Sequence, residues 1–350
     1  MKKRVFKSKS LLLSLLLIVT VSFSLSAQEA RKEYSENYGV NKGVTLNTDT
    51  KYSDVELITW DKSEVDVLAV VKVKGPSQNR AEEALKKVDI RIGKSGNTIS
   101  VVTEMDNGWS RNVKTSIKIT IKAPAWVNLD LESSYGDLFI QEASELVQID
   151  MRYGNLKAGT LSRGEVKPFS QIDLAYSDAV IDEAGWIDLE IAYSNMEINL
   201  SDMLFVESKY SKLLGEEVGG IVTEGAYDKY YFDEVGSFVG ELKYSGIKFG
   251  KLNKAFELHS GYTGVKIGTL SKGFSKVDAE LAYGNLSVGL EPGASFKFTG
   301  ESKYGNVSIN TGDKLSKTKE NNYVKVWGTV GSNPKSTIHV ITKYGNSSFE

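Results

Sequence analysis

Apolar and polar residues alternate in short segments that each end at a tyrosine. Before Tyr193, Leu189 and Ile191 are separated by acidic residues, and the same alternation precedes Tyr135 and Tyr344. A period of two predicts strands with one buried face, and by this parity each tyrosine lies on the core side at the end of its strand. The Gly, Ser, Asn and Asp residues that follow predict a corner, because Gly and Asn tolerate left-handed backbone.

The tyrosines recur at nearly constant intervals, which indicates an internal repeat. Four consecutive intervals are 17 residues long. The last interval, of 40 residues, is interpreted as two repeats with a degenerate copy near Tyr323, and Tyr52 as an earlier copy. A structural column at the corners is predicted for Tyr135, Tyr153, Tyr176, Tyr193, Tyr210, Tyr227, Tyr244, Tyr262, Tyr283, Tyr304 and Tyr344.

The predicted fold is all-β: a single-stranded β-solenoid, similar to a β-helix, with Tyr-Gly-Asn/Asp corners. A repeat of 17 residues buries an apolar strip only by stacking on its neighbours. A sandwich or barrel of hairpins is the alternative, but hairpin arms vary independently in length, so equal intervals favour the solenoid. After the final corner, Ser347 and Ser348 replace apolar residues, which predicts that the core column stops there.

The predicted organisation is a signal peptide at residues 1–27, a β-rich cap region at 28–125 and a solenoid repeat region at 126–350. The cap is expected to contain one short helix near residues 79–88, capped by Asn79 with Glu82 completing a capping box. An end cap would cover the strand edges that a solenoid leaves open.

The first residues have the layout of a secretory signal peptide. Five basic residues precede an apolar run from Leu11 to Val21, and small residues follow up to Ala27. The run is too short for a membrane-spanning helix, which needs about 20 apolar residues, and no later segment is predicted to span a membrane. We therefore expect an exported protein of the periplasm, cell envelope or cell surface.

Charge and composition exclude some functions. Without the first 27 residues the chain has 38 basic and 45 acidic residues, a net charge of −7, whereas nucleic-acid binding needs a basic surface. The chain has no cysteine, so disulfides and thiolate metal sites are excluded. Of the 350 residues, 41% are hydrophobic, enough for an extended core.

No catalytic constellation is found in the sequence, so we expect no catalytic residue, no cofactor and no metal site. The two histidines, His259 and His339, are predicted at outward positions about four rungs apart. Acidic residues recur after the second strand of several repeats, and these are interpreted as solvated loops: Asp178, Asp182, Glu183, Glu216, Glu217, Asp233 and Glu234. A polysaccharide-active enzyme, which would need paired carboxylates, is the less favoured alternative.

The residue before the corner tyrosine is often lysine, and stacking would place these lysines in one exposed column. The candidate binding residues are Lys209, Lys243, Lys303 and Lys343, with Lys51 as an earlier copy and alanines in intervening repeats. Basic groups beside aromatic rings could bind acidic glycans or phosphate polymers of the envelope. Alternatively, the lysines only keep an exposed sheet soluble.

The signal peptide, the stretch from Ile119 to Pro124 leading into Leu129, and the Tyr-Gly-Asp/Asn corners together resemble a bacterial family of unknown function classed as candidate adhesins, whose head domain is likened to those of autotransporter adhesins. The resemblance implies a β-solenoid exported to the envelope and brings no catalytic residues. It suggests a non-catalytic surface protein that presents a rigid binding surface to an envelope glycan or another envelope protein. A periplasmic accessory or envelope-stress regulatory protein that binds another protein is the alternative.

Overall fold

The computed structural model describes residues 28–106 and 112–350, so the predicted signal peptide lies outside the described residues. The strands are β1 (Gln28–Gly39), β2 (Thr45–Lys51), β3 (Ser53–Thr59), β4 (Glu64–Gly75), β5 (Val88–Ser95), β6 (Thr98–Met105), β7 (Lys114–Ala123), β8 (Asn128–Ser134), β9 (Leu138–Ala143), β10 (Val147–Arg152), β11 (Asn155–Leu161), β12 (Ser170–Ala175), β13 (Asp178–Ala192), β14 (Asn195–Lys209), β15 (Lys212–Ala226), β16 (Lys229–Lys243), β17 (Gly246–Gly261), β18 (Gly264–Leu270), β19 (Lys276–Ala282), β20 (Leu286–Leu290), β21 (Phe296–Lys303), β22 (Val307–Ile309), β23 (Ser316–Glu320), β24 (Tyr323–Val330), β25 (Ser336–Lys343) and β26 (Ser347–Phe349). Helix α1 spans Gln78–Leu85.

The strands stack as an all-β solenoid, which confirms the predicted fold class. Each rung is a strand before a tyrosine corner and a strand after it, and the corresponding strands of successive rungs pair in parallel and in register. In β13 to β17 the second strand of one rung continues into the first strand of the next. One continuous apolar core runs along the rungs, and Phe238, Phe249 and Phe256 fill its middle.

The corner tyrosines do not face the core, so the parity prediction is wrong at these positions. Each has a positive φ, between 52° at Tyr210 and 65° at Tyr227, and each is about half exposed. The left-handed residue shifts the alternation by one position, so the next residue, such as Ser194, is buried instead. The sequence pattern predicts left-handed backbone at the Gly or Asn after the tyrosine, whereas the structure has it at the tyrosine itself.

The small residue after the tyrosine is required by the neighbouring rung. At Gly154 a Cβ would lie 2.1 Å from the carbonyl oxygen of Gly136, and at Gly284 it would lie 2.0 Å from that of Thr263. Serine is accommodated in other rungs, where the Ser194 hydroxyl donates to the Ala192 carbonyl at 2.8 Å and accepts from the Ser177 amide at 3.1 Å.

The stack begins before residue 126. Strands β2 and β3 form a rung with its corner at Tyr52; β2 pairs with β8 on one side and with β6 on the other. Antiparallel strands and α1 cover this end, with β4 pairing to β7 and β1 to β4. The N-cap of α1 is Ser77, which accepts from the Arg80 amide, so the predicted cap at Asn79 is wrong.

The last rung of the chain is not the last rung of the stack. Strand β25 lies between β19 and β21, and β26 lies between β20 and β22. Ser347 is therefore a buried part of an interior rung, and the prediction that the core ends there is wrong. The segment around Tyr323 is an antiparallel hairpin of β23 and β24 against β21, and it is not a degenerate repeat.

No helix in the described ranges is long and apolar enough to cross a lipid bilayer.

The close approach of rungs predicts different tolerance at two glycines of adjacent corners. Gly284→Ala forces the backbone apart and should lower the free energy of unfolding by about 1–3 kcal/mol. Gly264→Ala meets no atom within 4 Å and should change stability by less than about 0.5 kcal/mol. Urea denaturation of both variants measures the difference. Equal stability of the two variants would contradict the close stacking of rungs at Gly284.

Candidate functional site

Twelve tyrosines form one continuous stack along the solenoid, here called the tyrosine stack. Neighbouring ring centroids are 4.6–5.1 Å apart and the ring planes differ by 3–14°. In spatial order the rings are Tyr52, Tyr135, Tyr153, Tyr176, Tyr193, Tyr210, Tyr227, Tyr244, Tyr262, Tyr283, Tyr344 and Tyr304.

Stacking offsets the strain of the corner. Left-handed backbone costs an L-residue about 1–2 kcal/mol, and an aromatic pair contributes about 0.5–1.5 kcal/mol beyond area burial. The corner amide is also satisfied, as where Tyr193 N–H donates to the Lys209 carbonyl at 3.0 Å. Because the faces of interior rings cover one another, the stack presents ring edges and hydroxyls to solvent.

A shallow groove of about 640 Å³ runs beside the stack and crosses five rungs. It is lined by the residues one to three positions before each corner tyrosine, from Tyr193 to Tyr262. In the position directly before the tyrosine, small residues and lysines alternate: Ala192, Lys209, Ala226, Lys243 and Gly261. A linear molecule in this groove would therefore meet the same backbone at every rung and a lysine at every second rung.

The third position before the tyrosine forms a column of carboxylates that the sequence interpretation missed. In register, and here called the carboxylate column, are Asp49, Glu132, Asp150, Asp173, Glu190, Glu207, Glu224 and Glu241. Adjacent members lie about 4.8 Å apart along the stack. The signal was present in the sequence, because an acid stands three residues before ten of the twelve corner tyrosines, and eight of these acids are consecutive in the stack.

Like charges in this column affect one another. Burial raises the pKa of Asp173, and the neighbouring Glu190 and Asp150 act in the same direction, against a hydrogen bond from Gln171. Arg152 forms an ion pair with Asp150, outside the groove. In the groove itself, Glu190, Glu207, Glu224 and Glu241 have no ion pair within the described part of the chain. Four glutamates thus outnumber the two groove lysines.

The four candidate lysines fall into two separate sets. Lys209 and Lys243 lie two rungs apart in the groove, and the Lys209 ammonium lies 5.8 Å from the Tyr210 ring centroid. Lys303 and Lys343 are in register on adjacent rungs, at 5.6 Å and 5.9 Å from the rings of Tyr304 and Tyr344.

The carboxylate column is interrupted beside this second lysine pair. Ile341 occupies the acidic position of its rung, and Glu301 forms an ion pair with Lys325 at 2.8 Å. Lys303 and Lys343 therefore form the more cationic of the two sets.

The remaining sequence candidates are dispersed. His259 and His339 point outward, 3.6 Å from Glu280 and 3.0 Å from Asp278. Among the described residues, no group of three potential ligand side chains could hold a metal ion. The acids assigned to loops, such as Glu217 and Glu234, lie instead within β13, β15 and β16.

A buried polar network lies beneath the groove. Asp228 replaces the small corner residue and is 1% exposed. Its carboxylate accepts from the Ser208 hydroxyl at 2.9 Å and from the Ser211 amide at 2.8 Å. Burial raises the pKa of Asp228, which these hydrogen bonds partly oppose. Tyr230, bonded to Ser208 and to Thr223, is fully buried, and burial raises its pKa to about 12.

The fold and the tyrosine stack define the class of protein: an all-β solenoid repeat protein. No family model matches the chain, and no curated protein matches it. Solved structures that align with it include a candidate cell adhesion protein from Clostridium sporogenes, with 12% identity over 91% of this chain and 99% of that chain and a TM-score of 0.18.

Two further structures are candidate adhesins. The one from Bacteroides fragilis has 13% identity over 91% of this chain and 97% of that chain, with a TM-score of 0.23. The one from Parabacteroides merdae has 7% identity over 91% of this chain and 96% of that chain, with a TM-score of 0.33. At these identities and TM-scores, the function of this chain has to be inferred from its own surface.

Two substitutions of one stacked tyrosine distinguish the contribution of the ring to stability from that of its hydroxyl. Tyr227 stacks on Tyr210 and on Tyr244, at 4.6 Å and 4.9 Å. Tyr227→Ala loses both ring contacts and should lower the free energy of unfolding by about 1–3 kcal/mol. Tyr227→Phe keeps them and should stay within about 0.5 kcal/mol of the wild type. Thermal and urea unfolding measure both. A Phe variant as unstable as the Ala variant would show that the hydroxyl is structural.

Asp228 makes stability depend on pH. Because its pKa is raised, the folded state holds this proton more tightly than the unfolded chain does. The resulting stabilisation is complete below the ordinary Asp pKa and is lost as pH rises through the raised pKa. Asp228→Ser, the residue of neighbouring corners, should therefore unfold less readily than the wild type at about pH 7, with the advantage shrinking towards about pH 3.

Urea denaturation at the two pH values measures the effect of Asp228→Ser, with exposed Asp233→Ser as the control. An advantage of equal size at both pH values would contradict the role of ionisation.

Proposed function

We propose that the chain is a non-catalytic, exported envelope or surface protein of adhesin type that binds an extended glycan lengthwise in the groove. The observation that supports this most is the groove itself, which is open and repeats the same side-chain positions over five rungs. A linear polymer would form many weak contacts there, and repeated contacts on one chain raise the overall affinity strongly.

The charges of the groove suggest the kind of glycan. The excess of glutamates over lysines favours amino-sugar units, whose ammonium groups would pair with Glu207 and Glu224. Lys209 and Lys243 remain candidate donors to sugar hydroxyls and carbonyls. Acidic sugar units are favoured instead near Lys303 and Lys343, where the carboxylate column is interrupted.

A protein partner is the second candidate, and one surface favours it. Phe205, Val222 and Val239 occupy the same outward position on three successive rungs, and Trp186 packs beside Phe205 with ring centroids 5.9 Å apart. Val222 and Val239 are 37% and 42% exposed. A contiguous apolar strip of this kind is typical of protein interfaces. It would serve a periplasmic accessory or regulatory protein.

Glycan binding is tested with matched oligomers of neutral, amino and uronic acid sugars, by titration calorimetry at low and high salt. We expect amino-sugar oligomers to bind best to the wild type. Glu207→Gln with Glu224→Gln should weaken their binding, whereas Lys303→Ser with Lys343→Ser should weaken only the binding of uronic acid oligomers. Lys248→Ala with Lys266→Ala, on exposed positions outside the groove, is the control.

Other outcomes distinguish the alternatives. If uronic acid oligomers bind best and Lys209→Ser with Lys243→Ser abolishes this, the lysine column is the site and the assignment to the carboxylate column is wrong. If no oligomer binds, while Val222→Ser prevents capture of an envelope protein, the second candidate is correct. Shortened oligomers after incubation would contradict the non-catalytic proposal. Protease treatment of intact cells tests surface exposure.

A further inference from the structure

The tyrosine stack has a chemical property that glycan binding does not use. Its packing depends on ring faces, and phenylalanine would supply the same faces. Yet all twelve corner positions are tyrosine, although the chain contains 13 phenylalanines elsewhere. From Tyr135 to Tyr344 in the stack, the phenolic hydroxyls form no hydrogen bond to the described protein residues, and each ring is 43–51% exposed. No hydrogen bond within the described residues therefore accounts for the hydroxyl at these positions.

Phenols differ from phenyl rings in that they lose one electron far more readily. In this stack, each interior ring is in face-to-face contact with two others at centroid distances of 4.6–5.1 Å. Such contact gives overlap between the π systems of neighbours over the whole series. The exposed hydroxyls can exchange protons with water at every ring.

We propose that the tyrosine stack accepts and carries one-electron oxidising equivalents along the solenoid. A one-electron oxidant, such as a peroxyl radical or an oxidised metal complex, takes an electron from one phenol. The O–H bond of that phenol breaks, its proton goes to water, and a tyrosyl radical remains. The neighbouring phenol then gives an electron to this radical and a proton to water, while the radical takes up a proton from water.

Each such step moves the radical by one ring with no net change in atoms or electrons. A small reductant of the ascorbate class ends the sequence, because it supplies one electron, and water supplies the proton, to restore the phenol. The stack would thus draw oxidation away from the residue first attacked. This role is independent of the groove and of its ligand.

The test uses the absence of cysteine from the chain. Lys303→Cys provides one attachment site for a ruthenium polypyridyl photosensitiser beside Tyr304, the terminal ring of the stack. Illumination with a sacrificial electron acceptor generates the oxidant at that site. A nitroso spin trap then marks tyrosyl radicals, and peptide mass spectrometry locates the adducts. We expect adducts on rings well beyond Tyr304, including Tyr262 and Tyr244.

The decisive variant is Tyr344→Phe with Tyr283→Phe, which keeps stacked rings but removes the two phenols next to Tyr304. Adducts beyond these positions should be lost. Tyr34→Phe with Tyr231→Phe, outside the stack, should leave the distribution unchanged. Circular dichroism and thermal unfolding confirm that both variants are folded, and unlabelled protein enriched in nitrogen-15 reports oxidation between molecules.

Two results would overturn the proposal: adducts confined to Tyr304 in the otherwise unsubstituted stack, or remote adducts that persist in Tyr344→Phe with Tyr283→Phe. Glycan titration of the same Phe variant keeps the two proposals separate. Normal binding with lost radical migration in that variant agrees with both proposals. Normal binding with persistent migration overturns the radical proposal alone, and absence of glycan binding in the wild type overturns the glycan proposal alone.

Discussion

Parallel pairing in register is the constraint on which the rest of the structure depends. Neighbouring strands lie about 4.8 Å apart, so residues at the same place in successive repeats become neighbours in space whatever their chemistry. For apolar residues this builds the core, and for the corner tyrosines it builds a stack. For the carboxylates it brings like charges together, which is unfavourable for folding. The groove therefore has a charge pattern that core packing does not require.

The repeat and its fold class could be predicted from the sequence because the spacing of tyrosines and the alternation of apolar residues both result from the strand period. The direction of the tyrosine side chains could not. Alternation assumes extended backbone, and one residue with φ near 53°, as at Tyr193, inverts the parity at the corner. The glycine after the tyrosine suggested a positive φ at that glycine. The actual reason for glycine there is that the carbonyl oxygen of the adjacent rung leaves no room for a Cβ atom.

The candidate site was predicted only in part for a related reason. The lysines were noticed because they precede an obvious marker residue, but their separation into two sets depends on spatial order. That order departs from chain order where β25 enters between β19 and β21. The carboxylate column could have been found by aligning the repeats at the third position before each tyrosine. Its place in a binding groove could not be found in this way, because the groove exists only once the rungs are stacked.

The position of the final rung has a consequence for how the chain can fold. A solenoid whose rungs follow chain order can lengthen by adding each repeat to the previous one as it becomes available. Here residues 296–309 have no partner rung until residues 336–349 have arrived, because β25 and β26 separate them from the preceding rung. Residues 336–349 therefore complete the hydrogen bonding of two rungs at once. Addition of rungs in chain order therefore stops at residue 290, and the rungs beyond it join the stack only when residues 336–349 insert between them and the preceding rung.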